Sequence, residues 1–241
     1  MSFSLNGRRA LVTGANTGIG QAIAVSLAEA GAEVICGGRS DMSETLALIP
    51  GSEALTLDFS DPMAARDVFS DRPIDILVNN AGTIKRADSV DFSEADWDAV
   101  MDVNLKAVFF TSQAFARAAL ARKAPAKIVN IASLLSFQGG IRVPSYTAAK
   151  HGVAGLTKIL ANEWAAKDIN VNAIAPGYIA TNNTTALRED ADRSRQILER
   201  IPAGRWGKPS DIGGAAVFLA SSAADYVHGA VLNVDGGWLA R

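Results

Sequence analysis

A doubly wound α/β domain, in which one parallel sheet of seven strands carries helices on both faces, is the fold class that this 241-residue sequence predicts. Three observations predict it. Short apolar runs alternate along the whole chain with longer amphipathic stretches. The runs are apolar nearly throughout, as Ile76-Leu77-Val78 shows, which is the pattern of strands buried from both sides. A glycine-rich turn follows the first run at once and opens a helical stretch.

Strands are expected at 10–12, 33–36, 54–57, 74–78, 127–132, 171–175 and 231–234, and helices between them at 19–30, 62–69, 94–122, 146–166 and 210–220. No repeat or low-complexity segment interrupts the alternation, so residues 1–241 read as a single domain. Only 178–206 breaks the rhythm. It is polar, rich in Asn, Thr and Arg, and stands late in the chain between a strand and a helix, so it reads as a lid over the site.

Charge and composition exclude several classes. The 23 basic and 25 acidic residues give a net charge of −2 with no basic block, so no nucleic-acid footprint is expected. The single Cys36 precludes an intrachain disulfide and, inside the second strand, reads as a small core residue. With two histidines and no Cys/His cluster, no metal site is expected. His151 should point away from Lys150 on a helix, and His228 has no visible partner. Residues 1–9 lack an apolar signal core, and no run nears the roughly twenty residues that span a bilayer. A protein neither secreted nor inserted, in a reducing cytoplasm, is the expectation.

The turn Thr13-Gly-Ala-Asn-Thr-Gly-Ile-Gly20 has the context of an anion cradle. Its glycines permit a tight bend and let a pyrophosphate approach helix N–H groups closely. Tyr146 and Lys150, four residues apart after Pro144, share a face if the segment is helical. A nearby ammonium lowers a phenol's pKa toward use as a base near neutral pH, and Ser133 would hold the reacting oxygen. Taken alone, Tyr-x-x-x-Lys reads as a helix surface pair, and the rest of the sequence reverses that.

The spacing T-G-x-x-x-G-x-G resembles the short-chain dehydrogenase/reductase family, and the resemblance runs essentially end to end. Asp58 follows the third strand, Asn79-Asn-Ala-Gly82 the fourth and Pro176-Gly177 the sixth, with Asn104, Ser133, Tyr146 and Lys150 in order between. The resemblance implies a Rossmann domain that binds a nicotinamide dinucleotide. Gly14, Asn16, Thr17, Gly18, Ile19 and Gly20 would meet the pyrophosphate, and Asp58 and Phe59 the adenine. Asn80, Ala81 and Gly82 would line the adenosine side, while Pro176, Gly177, Ile179 and Thr181 would meet the carboxamide end. It also implies that a hydride moves between the nicotinamide and a carbinol carbon while Tyr146 exchanges a proton with the oxygen. Lys150 would lower the phenol's pKa and hold the ribose, Ser133 would polarise the substrate oxygen, and Asn104 would anchor a water in a proton path to Lys150. Asp58 reads alternatively as a helix cap, and Asn79 as a brace between strands.

Cofactor choice turns on the end of the second strand. Gly38 stands where a carboxylate would exclude a 2′-phosphate, and Arg39 after it can pair with one. Thr17, at a loop position where many NADP-using relatives carry a basic residue, weighs the other way. The balance tips to NADP(H), with NAD(H) left open; Arg39 stacking on adenine suits both.

Substrate contacts are expected from the segment after Ser133 and from the lid, with Ser133, Gln138, Arg142, Tyr146, Asn182 and Asn183 as the candidates. Their polarity suits a polyhydroxylated acid better than an acyl chain or a steroid, with Arg142 or a lid arginine on the carboxylate. Gly140–Tyr146, 162–164, 177–184, 200–206 and 235–241 are similar to family members that act on deoxy-hexonates. That likeness implies oxidation or reduction at a secondary alcohol of a deoxy-sugar acid. Arg205 and Trp206 are expected to fix the lid's return, and 238–241 to meet a neighbouring subunit of a homotetramer. A 3-oxoacyl thioester, a ketose or gluconate as substrate, and a dinucleotide sensor without turnover, remain the other readings.

Overall fold

The computed structural model describes residues 3–241. β1 (Arg9–Thr13) pairs in parallel with β2 (Glu33–Gly38) on one side and β4 (Ile76–Asn79) on the other. β3 (Glu53–Thr56) forms one edge; β5 (Ala126–Ile131), β6 (Ile169–Pro176) and β7 (Val231–Val234) extend the opposite side. The order is β3-β2-β1-β4-β5-β6-β7, and every pairing is parallel. The chain reverses direction across the sheet between β1 and β4, so the crevice beyond their carboxyl ends is where a ligand is accommodated.

Alternating side chains place the core on both faces. Ala10 and Val12 of β1 pack with Ile23 and Leu27 of α1 (Gly18–Glu29) and with Ile212 and Ala216 of α8 (Ser210–Ala220). Leu11, between them, faces Phe115 of α4 (Ala107–Arg122) and Leu160 of α5 (Pro144–Trp164) across the second core. Each fully buried Leu or Ile side chain contributes about 1.5–3 kcal/mol. β4, β5 and β6 are buried along their whole lengths, as their apolar runs predict, whereas β7 at the edge is half-buried.

Four local differences from the sequence expectation have physical causes. A short α2 (Ser43–Leu48) follows β2, anchored by Thr45, whose buried hydroxyl donates to the Ala15 carbonyl at 2.8 Å. The helix expected at 62–69 is instead a string of turns, closed by bonds to the third residue back from Ala64, Arg66, Val68 and Ser70. Ala65 and Phe69 are buried there at helical spacing, and that contact satisfies the periodicity without a continuous helix.

The expected helix 94–122 is α3 (Glu94–Met101), a π segment (Asp102–Lys106) and α4 in succession. One wide turn re-aims Asn104 inward, where it is 0% exposed. The segment 178–206, expected as a lid, holds a 3₁₀ turn (Asn182–Thr184), α6 (Thr185–Glu189) and α7 (Ala191–Arg200), the last capped by the Asp190 carboxylate on the Arg193 N–H.

Candidate active site

The glycine turn is shaped by a partner far along the chain. The Nδ2 of Asn80 donates to the carbonyls of Thr13 and Gly14 at 2.9 and 3.0 Å. The hydroxyl of Thr13 receives the N–H groups of Asn80 and Ala81 at 2.9 and 3.0 Å. Gly14 sits at φ 65°, and a Cβ there would come 2.9 Å from the Ala81 Cα. A Cβ on Gly20 would overlap the Gly14 carbonyl and the Asn80 amide. Only glycine lets the turn and the strand-end loop close on each other.

α1 begins here with Thr17 as its N-cap residue and no side-chain cap, so the first-turn N–H groups stay available. A cleft of about 230 Å³ lies above them, and a second of about 500 Å³ adjoins it; Gly14, Asn16, Ala81, Gly82 and Thr83 line both. An elongated ligand with an anionic middle fits this cradle, as a dinucleotide does. Asn16, Thr17, Gly18, Ile19, Gly20, Asn80, Thr181, Asn182 and Asn183 line the first cleft with Tyr146 and Lys150. Arg39, Asp58 and Phe59 line the second. There Arg39 Nη1 lies 3.6 Å from Asp58 Oδ1. The N–H of Ser60, then its hydroxyl, hold the Asp58 carboxyl below its ordinary value, with Arg39 adding to the effect.

Tyr146 projects from the first turn of α5, where Pro144 supplies the opening residue. The Ser133 hydroxyl is near enough to the Tyr146 phenol to pull the phenol's pKa down. Ser133 caps the 3₁₀ turn Leu134–Ser136, accepting from the Leu135 N–H at 3.1 Å, which leaves its own proton for the phenol oxygen. One turn on, Lys150 is 5% exposed; its Nζ donates to the Ile131 carbonyl at 2.6 Å and lies 5.5 Å from the centroid of the Tyr146 ring.

Burial lowers the lysine's pKa from 10.5 to about 8. Burial also raises the phenol above its ordinary value, opposed first by the Ser133 hydroxyl and then by the charge of Arg86. The depression expected from Lys150 is therefore not what the protein alone produces. The ammonium is aimed at a carbonyl, and desolvation outweighs the charges.

Asn104 makes a reciprocal pair with the backbone of Thr83: its Oδ1 accepts from the N–H and its Nδ2 donates to the carbonyl, both at 2.8 Å. The side chain thus shapes the strand-end loop. Asn79 braces the layer beneath, donating to Ser112 Oγ at 2.9 Å and Asn130 Oδ1 at 2.8 Å, and Asn130 donates on to Thr157 at 3.0 Å.

Several expected contacts lie elsewhere. Arg142 has φ 64° and pairs with Asp88 at 3.1 Å, outside the lining of either cleft. Gln138 accepts the indole N–H of Trp238 at 3.2 Å and is also outside that lining. Pro176, Gly177 and Ile179 stand behind the lid's root; Ile179 is 4% exposed and bridges to Gly207.

The C-terminal Trp238, expected at a subunit contact, is buried within its own chain. It lies 4.7 Å from the Tyr178 ring and 4.1 Å from the Arg200 guanidinium, in a small core with Leu134, Ile197 and Ile201. Arg205 grips Asp211 at 2.6 and 3.1 Å, and Trp206 meets Tyr178 edge-on, so both ends of the segment 178–206 are tied together.

His151 is exposed, with Nδ1 3.0 Å from the Thr147 carbonyl, while His228 Nε2 lies 3.2 Å from Asn170 Nδ2. Cys36 is buried, and its thiol is pushed up to about 11.

Sequence reasoning missed Arg86. Its Nη2 donates to the Asn183 carbonyl at 3.0 Å, and its charge acts on Tyr146, so it bridges the strand-end loop and the lid. The available signal was a lysine–arginine pair directly beyond Asn79-Asn-Ala-Gly82. Thr13 and Thr83 were also missed, because both act through backbone partners that spacing does not reveal.

Comparison with known proteins agrees with this arrangement. The family described as enoyl-(acyl carrier protein) reductase matches residues 14–239. The 2-dehydro-3-deoxy-D-gluconate 5-dehydrogenases of Bacillus subtilis and Dickeya dadantii are 57% and 55% identical, each over 249 residues, covering 100% of this chain and 98% of the relative. A crystal structure from Agrobacterium tumefaciens, provisionally named a 2-deoxy-D-gluconate 3-dehydrogenase and solved with bound NADP, is 74% identical at a TM-score of 0.98, covering 99% of both chains.

Proposed function

Because this chain belongs to the short-chain dehydrogenase/reductase family, we propose that it interconverts a secondary alcohol and a ketone on a deoxy-hexonate, with NADP(H) as its preferred hydride partner. The observation that carries this reading is the phenol of Tyr146, under the influence of Ser133 and flanked by Lys150 in the lining of the dinucleotide cleft. When bound, the nicotinamide supplies or accepts the hydride. The chain's own residues handle the proton and the orientation. Ser133 holds the substrate oxygen with Tyr146, and Tyr146 takes or gives the alcohol proton. The charge of Lys150 compensates the phenolate as it forms, and its spare N–H donors are available to a ribose. Asn104 acts through the loop it fixes, and its place in a water path to Lys150 is part of the same proposal.

The substrate's carboxylate calls for a cation in the cleft. Arg86, at the rim of the cleft, suits that role better than Arg142: it bonds only a neutral carbonyl of Asn183 and its charge reaches Tyr146, whereas Arg142 is paired with the Asp88 carboxylate. Asn182 and Asn183 supply amide donors and acceptors for hydroxyls. In this reading the segment 178–206 works as a lid rooted at Trp238, with movement confined to its first half. Assembly as a homotetramer in the cytoplasm belongs to the proposal as well; Leu120 of α4 and Ile159 of α5 are exposed apolar side chains of the kind an interface covers.

The test is absorbance at 340 nm across NAD and NADP with deoxy-gluconates, gluconate, uronate-derived keto acids and a 3-oxoacyl thioester. The deoxy-hexonates should give the highest kcat/KM, and a clear preference for the thioester would overturn the substrate. Tyr146→Phe should lose about 10²–10⁴-fold in kcat while still binding cofactor. Full turnover by that variant would overturn the acid–base role.

A further inference from the structure

The Arg39–Asp58 pair lies in the second cleft, on the side away from Tyr146. Gly38 ends β2 without a carboxylate, and the two cations lining this cleft are Arg39 and Lys85. Lys85 is held by Asp96 at 3.2 Å, so Arg39 is the cation free to move. Its only ion-pair partner among the described residues is Asp58, at 3.6 Å, with side chains 69% and 50% exposed. A contact that long and that wet exchanges readily. Asp58, by contrast, is fixed, because its Oδ1 accepts the Ser60 N–H at 3.0 Å.

We infer that Asp58 sets the NADP-to-NAD preference by competing with the ribose 2′-phosphate for Arg39. With NAD bound, Arg39 keeps Asp58 as its counter-ion and its charge is compensated at no cost. With NADP bound, the guanidinium must leave the carboxylate for the phosphate, and the gain from the new pair is reduced by the one given up. The carboxylate thus acts as a built-in stand-in for the phosphate. Asp58 is a positioning residue in this scheme, and the inference rests on the reading that Arg39 meets the 2′-phosphate.

The experiment measures NADPH and NADH dissociation constants by nicotinamide fluorescence for the intact enzyme, Arg39→Gln, Asp58→Asn and the double variant, which requires no substrate. Asparagine retains an oxygen for the Ser60 N–H, so the loop is preserved. Asp58→Asn should raise the preference for NADPH over NADH by about three- to tenfold at low salt, and less at high salt. In the Arg39→Gln background the same change should leave the ratio within about 1.5-fold. An unchanged ratio in Asp58→Asn, or an equal rise in the double variant, overturns the competition while leaving Arg39 as the phosphate's partner. If Arg39→Gln alone leaves the ratio unchanged, the reading beneath it falls too.

Discussion

Lys150 reaches from α5 to the Ile131 carbonyl at the end of β5, 2.6 Å away, and holds its ammonium 5.5 Å from the Tyr146 ring centroid. One buried cation therefore joins sheet, helix and acid–base residue. Its pKa of about 8 lies below the ordinary 10.5, so between those values the unfolded chain binds more protons than the folded one. The lysine's contribution to stability accordingly rises with pH across that window, and below pH 8 the cost of burying the charge is carried in full. Lys150→Met should show an apparent stability advantage below pH 8 that shrinks by about 3 kcal/mol by pH 10.5. Denaturant melts of both proteins without cofactor, compared pH by pH, measure it; a constant difference would contradict the assignment.

Gly20→Ala should cost about 1–3 kcal/mol of stability, because the added methyl overlaps backbone at Gly14 as well as the Asn80 amide. NADPH affinity should fall at least tenfold. Calorimetry and fluorescence titration check the two effects. Gly214, where a Cβ meets nothing within 4 Å, is the control site, and alanine there should leave NADPH affinity unchanged.

Trp238→Phe removes the indole donor to Gln138 and part of the contact with Tyr178 and Arg200. A loss of about 1–3 kcal/mol is expected, with faster hydrogen exchange in α7 because Ile197 and Ile201 share that core. Exchange confined to α6, with α7 unchanged, would show that the lid is not rooted there.

Asn104→Leu strands both polar groups of Thr83, each with a desolvation cost of about 1–3 kcal/mol. Asn104→Asp keeps the acceptor for the Thr83 N–H and loses the donor to its carbonyl. The aspartate should retain more activity than leucine, and thermal melting together with kcat ranks the two.

The sheet was legible because parallel strands buried on two faces are read from apolar runs alone, and β4 to β6 follow that rule along their lengths. The turns at 62–69 were not, since Ala65 and Phe69 meet the core at helical spacing in either geometry. Within the site, Tyr146 and Lys150 were legible through a helical offset, and Gly14, Gly18 and Gly20 through a turn next to a strand. Arg142 and Gln138 were placed by chain proximity to Ser133, whereas their side chains are engaged by Asp88 and Trp238, residues distant in sequence. Arg86 illustrates the reverse: the Lys85-Arg86 pair marks it only faintly, and its importance arises from the bond to the Asn183 carbonyl, nearly a hundred residues on.

The Asn80 amide that holds the glycine turn comes from 66 residues downstream of Gly14. During synthesis, then, the first strand, its helix and the second strand can emerge and pair without forming a nucleotide pocket. Competence to bind arrives as a step, when β4 slides in beside β1 and brings Asn80 with it. A fragment ending before that residue lacks the amide that closes the glycine turn.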